Sequence, residues 1–199
     1  GGRYVTPRLF SSAIDNEGNM LSRKQMQEHP VASEDAVFVL SNILRDVLNH
    51  GTAASTRKLG YKGAAAGKTG TSNETRDAWF EGFSPDLATG IWVGFDNNSP
   101  IGLTGGAAAV PIWTRYMTCI SSFHEELPFI APPGVTFVDI DENTGEPANE
   151  GSDPQSIIHE AFVSGTEPRA RRPQEEAPAE EKAAPKAPEG ESFWDSWFN

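Results

Sequence analysis

An α+β domain, an antiparallel sheet flanked by helices and followed by a disordered tail, is what three features of this 199-residue chain predict. Ala64 to Phe95 reads as three short strands separated by polar turns. Apolar residues at three- and four-residue spacing mark a helix on either side of it, one around Val37–Leu48 and one around Val110–Ile120. Arg169 to Gly190 is dominated by Pro, Ala, Glu, Arg and Lys without apolar periodicity, so it cannot offset the entropy of ordering. Residues 1–168 are assigned to one domain and residues 169–199 to the tail, in keeping with domains of about 100–200 residues.

Between Tyr4 and Leu21, apolar residues flank Asp15-Asn16-Glu17-Gly18-Asn19, which predicts a hairpin closed by a Gly/Asn turn. Ser33 can cap a helix whose first residues, Glu34 and Asp35, suit its positive end. Val37, Leu40, Ile43, Leu44, Val47 and Leu48 then predict one buried face, and Gly51 a stop. Thr52 to Leu59 reads as a short helical connection. Ala64–Ser72, Ala78–Phe83 and Leu87–Phe95 form the meander, with Ser84-Pro85-Asp86 as a turn. After a loop from Asn97 to Gly106, Ala107–Ile120 is a second helix with Pro111 in its first turn and a buried stripe of Val110, Trp113, Met117 and Ile120. Cys119 is expected to be a packed core thiol; as the only cysteine it allows no internal disulfide. Val135–Ile140 reads as a further strand, and the Phe193–Phe198 aromatic cluster could dock on a partner protein or a membrane interface.

Lys68-Thr69-Gly70-Thr71 carries the chemistry. Side chains alternate along a strand, so Thr69 and Thr71 share a face where two hydroxyls can grip a carboxylate, with Lys68 as a fixed cation beside them. Gly70 lets a substrate backbone lie against the strand. A free N–H at an edge strand can stabilise an oxyanion, a donor worth about 10²–10³ in rate. A phosphate-binding loop does not fit, because the first required glycine position is Lys62 and no apolar helix starts after Thr69. A calcium loop from Asp139 through Asp141 and Asn143 to Glu150 also fails, since its sixth position is Thr144 rather than Gly. His29, His50, His124 and His159 share no ligand spacing and are read as solvated or hydrogen-bonded, so neither metal nor cofactor is expected. The net charge of −12 argues against a nucleic-acid partner, and no apolar run approaches the ~20 residues of a membrane span.

The run KTGT, Asp77-Ala78-Trp79-Phe80, Gly82 and Trp92-Val93-Gly94-Phe95-Asp96 closely resembles the transpeptidase domain of bifunctional, class A, penicillin-binding proteins, and Ala161–Pro168 resembles the segment that closes it. The resemblance covers roughly Gly1 to Pro168 and implies part of the penicillin-binding, β-lactamase-like fold. It implies acyl transfer by an active-site serine from a D-alanyl-D-alanine stem peptide of peptidoglycan to a neighbouring amine, with β-lactam antibiotics trapping the serine. Carried over, Lys68 sustains the electrostatics of the pocket, Thr69 and Thr71 hold the donor carboxylate, Gly70 keeps the strand open, and the Thr71 backbone N–H is an oxyanion donor.

The family's Ser-x-x-Lys and Ser-x-Asn elements are expected to be missing from this chain, leaving it without a nucleophile. Losing a serine nucleophile costs on the order of 10⁶ in turnover number in a well-dissected serine hydrolase, so the isolated chain is expected to be inactive. The chain is accordingly read as the C-terminal part of a longer cell-wall synthase on the periplasmic face of the cytoplasmic membrane. Glycosyltransferase and nucleophile regions and a membrane anchor are expected upstream of Gly1. Two other readings stay open: a β-lactamase or β-lactam sensor sharing the strand, and a non-catalytic peptidoglycan-binding module.

Overall fold

The computed structural model describes residues 1–123 and 125–170. The expected tail beyond residue 170, its terminal aromatic cluster and the reading of His124 lie outside the described residues. In chain order the elements are β1 (Arg3–Val5), β2 (Ser12–Ile14), β3 (Met20–Arg23), β4 (Glu28–Pro30), α1 (Glu34–Asn49), α2 (Ser55–Lys58), β5 (Ala66–Thr71), a 3₁₀ turn (Asn73–Thr75), β6 (Asp77–Phe83), β7 (Ala88–Gly94), α3 (Gly105–Ile120), β8 (Val135–Asp141), β9 (Glu146–Pro147) and β10 (Ile157–Val163). The α+β class and the antiparallel meander expected from the sequence are both present.

The first thirty residues form a long antiparallel ribbon. The Asp15–Asn19 turn closes β2 on β3 as predicted, the Asp15 carboxylate accepting from the Glu17 and Asn19 backbone N–H groups. The Asn19 side-chain amide, and after it these backbone donors, hold the Asp15 pKa below the ordinary carboxylate value. Beyond the hairpin, β1 pairs with β4, which the hydrophobic pattern did not reveal.

The core lies between the meander and α3. The order β5-β6-β7 puts Ala78, Phe80 and Gly82 of β6 on the covered face, where Phe80 and Tyr61 both meet Trp113 edge to face at 5.2 and 5.6 Å. Gly82 permits that approach, because an added Cβ would stand 2.6 Å from the Trp113 ring. Leu48 of α1, Ala53, Ala65, Ala109, Val110 and Met117 complete the cluster. A second sheet, β10-β8-β9, meets α1 through an edge-to-face Phe38–Phe137 contact and an Asn42–Glu160 hydrogen bond, so α1 stands between the two sheets.

Three expectations need correction. The second helix starts two residues earlier than expected, at Gly105, because the Thr104 hydroxyl caps it by accepting from Ala107 N–H; Pro111 therefore sits in the second turn. Cys119 is exposed, not packed. It lies two residues, and hence about 200° around the helix, from the buried Met117. The predicted buried face of α1 is shared between two sides. Phe38, Ser41 and Leu48 are buried, whereas Leu40 and Ile43 stay exposed on the side that neither sheet covers.

Candidate active site

Lys68 to Thr71 lie on β5, an edge strand of its sheet. The direction of its free amides follows from the ladder. Ser72 N–H donates to Asp77 O across the sheet at 3.0 Å, and amides two residues apart point the same way along an extended strand. Gly70 and Lys68 therefore point their N–H groups toward β6, while those of Thr69 and Thr71 point to the open edge. The Lys68 ammonium reaches that same edge, donating to Thr69 O at 2.9 Å.

The side chains divide by face. Register places Thr69 opposite Phe80 and Thr71 opposite Ala78, on the face that α3 covers. Lys68 and Gly70 lie opposite Glu81 and Trp79, on the face where Trp79 and Trp92 are each 44% exposed. Both threonine hydroxyls are engaged: Thr69 pairs with the Thr52 hydroxyl at 2.8 Å, and Thr71 accepts from Gly105 N–H at 3.0 Å. Gly105 lets the helix start rest directly on the strand, for an added Cβ would lie 2.5 Å from Gly70 O.

Both ends of β5 are anchored. After it, Glu74 and Thr75 adopt φ of 57° and 51°, a region that costs side-chain-bearing residues about 1–2 kcal/mol each. Ile101 N–H on Thr75 O and Asp77 N–H on Ser72 Oγ hold the turn, and Arg76 clamps it to Glu74 and the Asn98 carbonyl. Before it, Arg57 donates to Asn49 Oδ1, Tyr61 O and Gly63 O. Burial of that guanidinium lowers its pKa from the usual arginine value. The strand is thereby presented as a fixed rail with cation, hydroxyls and outward amides within four residues.

The expectation that the chain lacks a Ser-x-x-Lys pattern is wrong as stated: Ser55-Thr56-Arg57-Lys58 has that spacing. It forms the single turn α2, in which Thr56 is buried and bonded to Thr114, while Lys58 is exposed. No Ser-x-Asn follows it before Lys68, since residues 59–67 contain no serine at all. The family's order of elements is therefore not met by the Ser55–Lys58 turn.

Two residues at the site escaped the sequence reading, Thr52 and Gly105. The signal for Gly105 was the Thr104 cap position; for Thr52 nothing in the pattern distinguished it from a loop threonine. In place of the rejected calcium loop, Asp141 accepts from Asn143 N–H and Ser156 Oγ, closing a turn. Asn143 N–H is the largest cause of its lowered pKa. His159 is hydrogen-bonded, to Asp139 at 2.7 Å, and stacked on Phe137.

The profile of the penicillin binding protein transpeptidase domain matches residues 1–118. Penicillin-binding protein 2D of Bacillus subtilis is 31% identical over the whole chain, which spans 30% of that relative. Penicillin-binding protein 1A of Aquifex aeolicus is 32% identical over 84% of the chain and 23% of the relative. The crystal structure of penicillin-binding protein 1A from Haemophilus influenzae superposes with a TM-score of 0.74 at 25% identity, covering 84% of this chain and 30% of that one. The chain thus spans under a third of the length of these relatives.

Proposed function

This chain belongs to the penicillin-binding protein transpeptidase family, and we propose that it supplies the substrate-binding edge of a D,D-transpeptidase active site within a longer peptidoglycan synthase. The observation that carries the reading is β5: an edge strand whose Thr69 and Thr71 amides face outward beside the Lys68 ammonium.

A stem peptide ending in a carboxylate would lie along β5 in extended form, its terminal acid held by the Thr69 and Thr71 hydroxyls and drawn by Lys68. The Thr71 N–H would receive the oxygen of the reacting carbonyl as it becomes an anion, the moment at which a fixed donor is most effective. On this reading the serine that attacks, and the groups that move its proton, would come from a region outside these 199 residues. β-Lactams would enter as mimics of the acyl donor. The parent would act on the extracytoplasmic side of the membrane, joined to an upstream glycosyltransferase and anchor. Among the described residues no helix is long and apolar enough to cross a membrane.

The test is labelling of the full-length protein by a fluorescent penicillin. Lys68→Ala is expected to slow acylation by about 10²–10³, the scale of losing one electrostatic stabiliser. Unchanged labelling kinetics would remove Lys68 from the site.

A further inference from the structure

Thr52 lies outside the strand that carries Lys68 to Thr71, yet its hydroxyl stands 2.8 Å from that of Thr69. Its neighbours fix it there. Ala53, fully buried, donates its N–H to Val47 O at 2.9 Å, and the Thr52 carbonyl abuts Gly106, where an added Cβ would stand 2.8 Å away. Arg57 secures the following turn to Gly63 O. The backbone that carries the hydroxyl is thereby held beside β5.

A threonine hydroxyl has one proton and two lone pairs. It binds an anion with the proton, and does so best when another donor feeds one of its lone pairs, because linked hydrogen bonds polarise one another. Thr71 has such a donor in Gly105 N–H at 3.0 Å. Among the described residues, the group that can serve Thr69 in this way is Thr52.

We propose that Thr52 is a positioning residue whose hydroxyl donates to Thr69, turning the Thr69 proton toward the carboxylate of the acyl donor, just as Gly105 N–H does for Thr71. The role rests on the acyl-transfer reading above. It makes a discriminating demand: losing the Thr52 hydroxyl must weaken recognition of the carboxylate specifically, while leaving carboxylate-independent acylation untouched.

The experiment uses the full-length protein with two probes, a penicillin bearing its free carboxylate and the methyl ester of the same penicillin. Acylation rates are measured for wild type, Thr52→Val and Thr52→Ser. Thr52→Val is expected to lower the acid-to-ester rate ratio by about 2- to 10-fold, the worth of one neutral hydrogen bond, and Thr52→Ser to restore it. The ratio is insensitive to a misfolded fraction, which lowers both rates together. Thr69→Val is expected to abolish the effect of Thr52→Val in the double variant. An unchanged ratio in Thr52→Val, in a protein that does take the label, overturns the role of Thr52 alone. A wild-type protein that takes no label overturns the acyl-transfer reading and this role with it.

Discussion

Gly105 joins helix to strand at the point where Thr71 takes its hydrogen bond, and no room remains for a methyl group between it and Gly70 O. The obstacle is backbone, which cannot rotate aside. Gly105→Ala is expected to lift the start of α3 from β5, destabilising the protein by about 1–3 kcal/mol, the usual cost of overpacking, and weakening penicillin acylation at the same time. Thermal unfolding and labelling rate, measured together, check this. Glu160 supplies a pH-dependent prediction. Burial, the larger cause, and the neighbouring Asp46 raise its pKa in the folded state, while Asn42 partly compensates. A carboxyl with a raised folded pKa favours folding when protonated, so stability falls as pH rises from its unfolded pKa through the folded one. Glu160→Gln is therefore expected to be more stable than wild type at neutral pH, with the difference closing in acid. Equilibrium unfolding at the two pH values would expose an error of sign.

At the scale of elements, α3 shows what was legible in the chain and what was not. Its Val110, Trp113 and Met117 stripe is buried as the spacing requires, and Trp113→Ala is expected to cost about 3–5 kcal/mol, because Tyr61 and Phe80 cannot both close on the space left. Its start is not legible from spacing, since Gly105 and Gly106 have poor helix propensity and the Thr104 cap overrides it. Thr104→Ala is expected to lose about 1 kcal/mol in chemical denaturation. The strand bounds of the meander were readable to within a few residues because alternation on β6 is strict, Ala78, Phe80 and Gly82 being buried and Trp79 and Glu81 exposed. On α1 the spacing is ambiguous: more than one side is apolar, and periodicity alone does not say that the two sheets leave Leu40 and Ile43 exposed.

Taken whole, the described residues offer the free edge of β5 and an open sheet face bearing Trp79 and Trp92, whose rings lie 6.2 Å apart. Residues 1–199 by themselves are expected to take up no covalent penicillin, as measured by intact mass spectrometry. An acyl group mapped to Ser55 would show that the Ser55–Lys58 turn is a working nucleophile after all, against the missing Ser-x-Asn. The sequence by itself determined the family, the three-stranded meander and the four residues at its edge, because strand alternation and a dense local motif are written in neighbouring positions. Only the tertiary structure decided which amides face outward, and that Thr52, sixteen residues before Lys68, and Gly105, thirty-four after Thr71, converge on two hydroxyls. Contacts between residues so far apart depend on how helices pack on a sheet, and local chemistry does not encode that placement.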